Sequence, residues 1–371
     1  MKIAMIGHKR IPSREGGIEI VVTELASRMA ALGNSVTAYN RSGSHVSGSQ
    51  FSTAEKLKEY NGVKIITVPT PKSSKLNAIV YSALASVRAS FSRYDVVHFH
   101  AEGPAAMCFL PKLLGKKIVV TIHGLDWQRS KWGGFATKFL LFGEKTAVKY
   151  ADEIIVLSKS AQNYFLEKYG RETVFIPNGI TKPKKLDANI ITEKFSLKKN
   201  NYLLYLGRIV PEKGIHYLIE AYKKTDIKMP LVIAGGSSHT EEYFAQLKDS
   251  AKGKNIIFTD FADGDLLTEL YSNAYIYILP SDLEGMPLSL LEAMSFGNCC
   301  LTSDIAECTE VCEENAVYFK KSDIDDLTEK LNYLINNPNE VQKYRNISSD
   351  YITAKYNWNK ITEKTLNLYE K

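Results

Sequence analysis

Short runs rich in valine and isoleucine, each followed by a segment of helical pattern, recur along this chain and constrain its fold more than any other feature. In the first half the runs are KIAMI (2–6), SVTAY (35–39), VKIITV (63–68), DVVHFH (95–100), KIVVTI (117–122), EIIVL (153–157) and TVFI (173–176). Helical segments fall at 18–32, closed by Gly33, and at 76–91, 104–114, about 135–150 and 159–169. Strands apolar on both faces belong in a parallel sheet covered by helices on both sides. The segment PNGITKPKKL (177–186) interrupts the pattern with prolines, glycine and lysines, and reads as a linker. The alternation restarts with YLLYL (202–206), LVIAG (231–235), NIIF (255–258), YIYIL (275–279) and CCLT (299–302). Its helices are expected near 214–225, 240–252, 265–273, from Pro287 onward, at 323–336 and at about 340–355.

At 371 residues the chain exceeds one ordinary core. The economical α/β architecture is two doubly wound parallel-sheet domains, 1–180 and 181–356, facing a cleft, with 357–371 closing the chain. Ligands of open parallel sheets bind beyond the carboxyl ends of the strands, so chemistry is expected there. No run of about 18 apolar residues appears, which excludes a membrane-spanning helix. The apolar stretch in MKIAMIGHKR is too short for a secretory signal, and the cytoplasm is the expected location. Five cysteines, Cys108, Cys299, Cys300, Cys308 and Cys312, form no disulfide framework and read as reduced thiols. The vicinal pair and the following gap do not match zinc-ligand spacing, so no metal is expected.

The net charge of +6 is divided unevenly. Residues 1–180 hold 24 Lys and Arg against 13 Asp and Glu, a net of +11, while residues 181–371 hold 23 against 28, a net of −5. The first half is therefore expected to meet something anionic. No acidic residue occurs in 60–94, which carries Lys64, Lys72, Lys75, Arg88 and Arg93. In 127–149, Arg129, Lys131, Lys138, Lys145 and Lys149 alternate with Trp127, Trp132, Phe135, Phe139 and Phe142. Basic residues beside aromatics suit an anionic membrane surface. Nucleic acid is the weaker partner, because no recognised module accompanies the charge.

Several motifs sit at strand ends. PSDLEGMPLSLLEAM (280–294) follows a strand and opens a helix near Pro287, a residue suited to a first helical turn. Gly285, Met286, Pro287 and Leu288 bring backbone to a helix N-terminus, where an anion is favoured. Glu284 and Glu292 flank it, and carboxylates beside a phosphate cradle are suited to accept hydrogen bonds from ribose or sugar hydroxyls. In GRIVPEKG (207–214), Arg208 and Lys213 are spaced to converge on one diphosphate and stabilise it as a leaving group. Gly16 and Gly17 precede a helix without the GxGxxG fingerprint, and leave room for close approach to phosphate. His123, next to Gly124 at a strand end, can bind a substrate hydroxyl through its side chain or carbonyl. His8 and His100 share that location, whereas His98 alternates with His100 and is expected to pack inside. Asp263-Gly264-Asp265 and Asp323-Ile324-Asp325 each precede a helix and read as caps rather than metal–nucleotide sites.

Taken together, GGIE (16–19), HG (123–124), PNG (177–179), GR…KG (207–214) and the two glutamates at 284 and 292 resemble family-4 glycosyltransferases of the GT-B fold, over nearly the whole chain. The stretch 98–179, with HFHAEGPAA and VTIHGLDWQRSKWGGFA, is similar to the bacterial cell-surface polysaccharide branch. The resemblance implies a retaining, metal-independent transfer from a nucleotide-diphosphate sugar, with no cofactor. It implies that Arg208 and Lys213 hold the diphosphate, Glu284 touches the donor sugar, and Glu292 the ribose. The backbone at 285–288 and Gly16-Gly17 would line diphosphate and sugar, and His123 would contact the sugar near the reacting carbon. It also implies a last helix, 357–371, packed on the N-terminal domain. The N-terminal domain would receive the acceptor, here a polyprenyl-diphosphate-linked glycan met at the inner face of the cell membrane. Residues 40–62, where acceptor specificity often resides, match nothing. Two alternatives share the architecture: a GT-B nucleotide-sugar 2-epimerase, and a non-catalytic nucleotide-sugar-binding partner in an assembly complex.

Overall fold

A computed structural model describes residues 1–43, 57–128, 133–237 and 240–371, with Ser74 and Lys75 described by backbone alone. Most of the 40–62 segment, and Arg129, Lys131 and Trp132, lie outside the described residues. The chain divides into two compact units, Met1–Gly179 with Trp358–Lys371, and Ile180–Asn357.

The first unit runs β1 (Lys2–Ile6), α1 (Gly17–Ala31), β2 (Ser35–Arg41), β3 (Glu59–Tyr60), β4 (Val63–Val68), α2 (Ser74–Ser90), β5 (Val96–His100), α3 (Glu102–Ala105), α4 (Phe109–Leu113), β6 (Lys117–Ile122), α5 (Gly134–Tyr150), β7 (Glu153–Val156), α6 (Lys159–Tyr169) and β8 (Val174–Phe175). Its sheet order is β3-β4-β2-β1-β5-β6-β7-β8, parallel throughout except for the short β3, which runs antiparallel to β4. Ile3, Ile6, Val97, Phe99, Val119 and Val120 are wholly buried, as strands covered on both faces require. One face of α1, Val21, Val22, Leu25, Ala26 and Met29, is buried at helical spacing.

A single helix over 104–114 is not what forms. The chain makes two short helices, α3 and α4, separated by residues 106–108. One continuous helix would put Pro111 in its interior, where the ring clashes with a carbonyl one turn back; in α4 it falls in the opening turn.

The second unit runs α7 (Ile190–Phe195), β9 (Leu203–Leu206), α8 (Ile215–Lys223), β10 (Leu231–Ala234), α9 (Glu241–Ser250), β11 (Ile256–Asp260), α10 (Gly264–Asn273), β12 (Ile276–Leu279), α11 (Leu288–Ser295), β13 (Cys299–Ser303), α12 (Ala306–Cys312), β14 (Val317–Phe319), α13 (Ile324–Asn336) and α14 (Pro338–Lys355). All strands are parallel, in the order β11-β10-β9-β12-β13-β14. Asp323 caps α13, its carboxylate accepting from the N–H groups of Asp325 and Asp326 at 3.0 Å. Asp263 stands at the N-cap position of α10 without a side-chain cap bond.

The last helix, α15 (Trp358–Glu370), belongs to the first unit. The Tyr369 hydroxyl lies 2.6 Å from Nδ1 of His98, and Nζ of Lys117 donates to the Tyr369 carbonyl at 2.9 Å. Arg28 of α1 donates to the Asn359 side chain at 3.2 Å. Near the start of α15, the Trp358 ring lies so close to Gly179 that a Cβ there would strike it.

All five cysteines are buried and free. Burial pushes the Cys108 and Cys299 thiols up to about 12, and it raises the other three as well. A thiol kept protonated and out of solvent is a poor nucleophile. The folded chain should therefore leave a thiol-reactive disulfide reagent essentially unconsumed at pH 8, and release five equivalents in denaturant; rapid labelling of the native chain would contradict this burial.

Candidate functional site

In the second unit, β9 pairs with β10 on one side and β12 on the other. The connections leaving the carboxyl ends of β9 and β12 run to β10 and β13 on opposite sides, which makes this the switch point where open sheets take ligands. Gly207, Arg208 and a 3₁₀ turn at Pro211–Lys213 follow β9, and Pro280 to Gly285 follow β12. The Asp282 N–H donates to the Glu212 carbonyl at 2.9 Å and ties the two loops. Gly214, with φ of +65°, lies against the Pro280 carbonyl, where any Cβ would collide.

These loops bring Lys213 and Glu284 together. The Lys213 ammonium donates to Oε1 of Glu284, which also accepts from the Ser281 hydroxyl at 2.7 Å. The two side chains are only 13% and 8% exposed, so each charge depends on the other. Arg208 is held by its main chain, whose carbonyl accepts from the Tyr205 hydroxyl at 2.9 Å. Its guanidinium has no hydrogen-bond or ion-pair partner among the described residues. The structure thus joins lysine to glutamate, and does not include Arg208 in that pair. Pro287 is the N-cap of α11 rather than its first residue, and Gly285 and Met286 lead into it, with Leu288 opening the helix. Glu292, within α11, accepts from the buried Tyr271 hydroxyl at 3.2 Å. Glu212 was not singled out by its sequence neighbourhood, yet both its carboxylate oxygens are buried without a partner among the described residues. Its place inside GRIVPEKG was the available signal.

In the first unit the corresponding switch is at β1, between β2 and β5. His8, His100 and His123 follow β1, end β5 and follow β6. His8 and His100 are wholly buried rather than lying at an open edge. Gly7, at φ of +129°, makes this possible by laying the end of β1 directly on the His100 backbone. Nε2 of His8 lies 3.0 Å from Oδ1 of Asn40. His98 packs inside on the same face of β5 as His100, both wholly buried, with Nε2 at 2.7 Å from the Thr121 hydroxyl. His123 is half-buried, and its Nε2 is 3.0 Å from Nδ1 of His100. Burial holds His8 down to about 4 and His98 to about 3, and keeps His100 well below its ordinary value. Gly16 is the extended N-cap of α1, which begins at Gly17, and a Cβ on Gly16 would strike the Glu19 carboxylate. Glu19 also accepts from the Lys9 N–H at 2.9 Å, so the carboxylate nearest this turn is the chain's own.

The loop after His123 is fastened from below. Trp127 Nε1 donates to Glu144 at 3.1 Å; the same wholly buried carboxylate accepts from Tyr164 at 2.9 Å, Lys168 at 3.0 Å and Tyr169. Glu102 is also wholly buried, and burial, then the charges of Asp126 and Glu144, push its carboxyl up to about 10. Among the described residues no three His, Cys, Asp or Glu side chains gather as a metal site.

Residues 15–182 match the family described as Glycosyltransferase Family 4, and residues 187–350 the family described as Glycosyl transferases group 1. The α-maltose-1-phosphate synthase of Mycolicibacterium smegmatis is 23% identical, covering 100% of this chain and 99% of its own. The O-antigen biosynthesis glycosyltransferase WclY of Escherichia coli is 24% identical over 77% of this chain and 81% of its own. Among solved structures, Anabaena HepE in complex with UDP and glucose superimposes with a TM-score of 0.81 at 16% identity, covering 100% of this chain and 99% of its own. The two parallel α/β sheets are those of the GT-B fold.

The buried titratable groups set a pH dependence with opposing signs. His8, His98 and His100 stay neutral in the fold and take up protons on unfolding below about 6.5, so their contribution is lost as pH falls toward 4 and 3. Each lowers stability by about 1.4 kcal/mol per pH unit in that window. Glu102 works the other way, its contribution being complete below about 4.5 and lost as pH rises to about 10. Three histidines outweigh one carboxyl, so the thermal midpoint should fall from pH 6.5 to 5. A midpoint that rises over that interval in a buffer series would overturn the neutral assignment.

Proposed function

The chain belongs to the glycosyltransferases, its halves matching family 4 and group 1, and we propose that it is a retaining, metal-independent enzyme moving a sugar from a nucleotide-diphosphate donor to a lipid-linked glycan in bacterial surface polysaccharide synthesis. The observation that carries the donor half of this reading is the arrangement at the end of β9. It combines an Arg208 guanidinium with no partner among the described residues and a Lys213–Glu284 pair within reach of Ser281. A diphosphate is recognised by cations and main-chain N–H groups, and a sugar by carboxylates that accept from hydroxyls. In the proposed division, Arg208 and Lys213 stabilise charge on the departing diphosphate, Glu284 orients the sugar, and Glu292 takes the ribose. Gly285, Met286, Pro287 and Leu288 supply backbone. For the first unit, His123 is assigned to the sugar and Gly16-Gly17 to its diphosphate side. The transfer breaks the bond from the anomeric carbon to phosphate oxygen and forms one to the acceptor hydroxyl on the same face. The leaving phosphate oxygen takes the acceptor's proton.

The polysaccharide assignment draws support from similarity to the O-antigen glycosyltransferase, and the lipid-linked acceptor from the surface of the first unit. Along α5, Phe135, Lys138, Phe142, Lys145 and Lys149 are exposed at spacings of three and four, so they share one face. On α2, Leu84, Val87 and Arg88 are exposed in the same manner, followed by the C-cap residue Phe91, and α4 adds Leu113. Apolar anchors among cations fit an anionic bilayer surface. No helix among the described residues is long and apolar enough to cross a membrane.

A panel of nucleotide-sugars in thermal-shift assays should contain one that stabilises the fold by mass action. Nucleoside diphosphate should then appear only when lipid acceptor is added. Conversion of the donor sugar without acceptor would point to the epimerase instead. Arg208→Ala should lower turnover by about a hundredfold or more, and unchanged turnover would remove it from the site. Glu292→Ala should weaken donor binding about tenfold, the cost of a hydrogen bond to a charged group. In flotation assays, the chain should bind phosphatidylglycerol vesicles at low salt and release at high salt; no binding at low salt would sink the membrane assignment.

A further inference from the structure

Beside the buried imidazoles of the first unit stands a charge that the described residues leave unmatched. Arg41 ends β2, next to the switch at β1, and pairs in register with Val68 of β4. A guanidinium keeps its charge when buried and carries five N–H donors. Here Nε is buried with no partner among the described residues. The terminal nitrogens make two long contacts, Nη1 to Oδ1 of Asn77 at 3.4 Å and Nη2 to the Gly7 carbonyl at 3.5 Å, so each retains a second N–H. The guanidinium carbon lies 4.7 Å from the centroid of the Tyr81 ring, which attracts a cation without neutralising it. No carboxylate among the described residues hydrogen-bonds or ion-pairs with it.

The setting is short of acid. Glu19 acts on Arg41 without touching it, its carboxylate engaged by the Lys9 N–H at 2.9 Å. Residues 60–94 contain no acid, and Lys72 is exposed just before α2. Arg10 brings a second guanidinium alongside, its Nε donating to the Arg41 carbonyl at 3.0 Å. Asn77 lies in the opening turn of α2, and its Nδ2 donates to the Thr70 hydroxyl at 2.9 Å and the Pro71 carbonyl at 3.2 Å, which turns Oδ1 toward Arg41. Arg41 is thus held at the N-terminal end of a 17-residue helix whose N-cap, Ser73, makes no side-chain cap bond. The helix dipole adds positive potential there. Arg41 is half-buried rather than enclosed, at the strand ends where such sheets take ligands.

We propose that Arg41, backed by the opening turn of α2, is a phosphate-binding residue of the first unit, taking a diphosphate group through the N–H donors left on its two terminal nitrogens. The planar fork matches two phosphate oxygens, and the anion supplies the charge that the fold leaves out. That this group belongs to a prenyl-linked acceptor rests on the function proposed above; the anion subsite does not.

Proton–nitrogen spectra of the full chain labelled with ¹⁵N-arginine test the subsite through the buried Arg41 Nε–H. Arg41→Lys should remove that signal and so assign it; if the variant does not fold, contacts to the Tyr81 ring assign it instead. Inorganic pyrophosphate in the millimolar range should shift the signal saturably, in wild type and in Arg208→Ala alike. A signal that stays still, or moves equally in sodium chloride of matched ionic strength, overturns the proposal. So does a shift that vanishes in Arg208→Ala, because the anion would then sit in the second unit. In the Arg208→Ala background, Arg41→Gln should bind pyrophosphate about tenfold more weakly by calorimetry. Its thermal midpoint without ligand should hold or rise, since an unmatched charge is gone. A midpoint that falls while binding is unchanged would make Arg41 merely structural and defeat the proposal. Farnesyl diphosphate should saturate the same Arg41 signal. If pyrophosphate does so and farnesyl diphosphate does not, the subsite stands and the lipid-linked acceptor is the part that fails.

Discussion

Parallel pairing on both sides of β9 is the constraint on which the second unit depends. Leu203 and Leu204 pair with Leu231 and Val232 on one side, and with Ile276 and Tyr277 on the other. A central strand so enclosed must be apolar on both faces, and Leu203 and Leu204 are wholly buried. The polar residues of this stretch are thereby displaced to the loops at its carboxyl end. The same pairing sets those loops side by side, although β9 and β12 are three strands apart in sequence. The ion pair of Lys213 with Glu284 is a consequence of that adjacency.

This explains what could be read in advance. The strands were legible because a buried parallel strand must be a run of β-branched and aliphatic residues, as in KIVVTI and YIYIL. Within GRIVPEKG, Gly214 was a legible mark because the close backbone approach it makes is one that only glycine allows. Partners were harder to see. Lys213 and Glu284 are 71 positions apart, and nothing local in either loop indicates which carboxylate a lysine will meet. His100 and His123 meet because His100 pairs in register with Thr121, two residues before His123. Register follows from which face is buried, and in strands buried on both faces the alternation that would reveal it is absent.

The errors were of the same physical origin. A helix over 104–114 looked continuous because its apolar residues outweigh Pro111 in a pattern count, while sterics give the proline a veto. His8 and His100 looked exposed because strand ends usually open to solvent. Here Gly7 folds the end of β1 onto β5, and α15 closes over His98 through Tyr369.

The two units handle polarity at their sheet ends in contrasting ways. In the second unit, the charge of Lys213 is matched by Glu284, and Arg208 adds a guanidinium with no partner among the described residues. In the first, four imidazoles are gathered where burial holds three of them neutral. Burying a cation costs several kcal/mol unless an anion accompanies it, whereas a neutral imidazole loses only the hydrogen bonds it fails to remake. A site built from neutral donors is suited to hydroxyls, which carry no charge to be matched. A guanidinium left without a carboxylate partner is suited to phosphate. On the proposed reading, the first chemistry suits the hydroxyls of a sugar and the second suits a diphosphate.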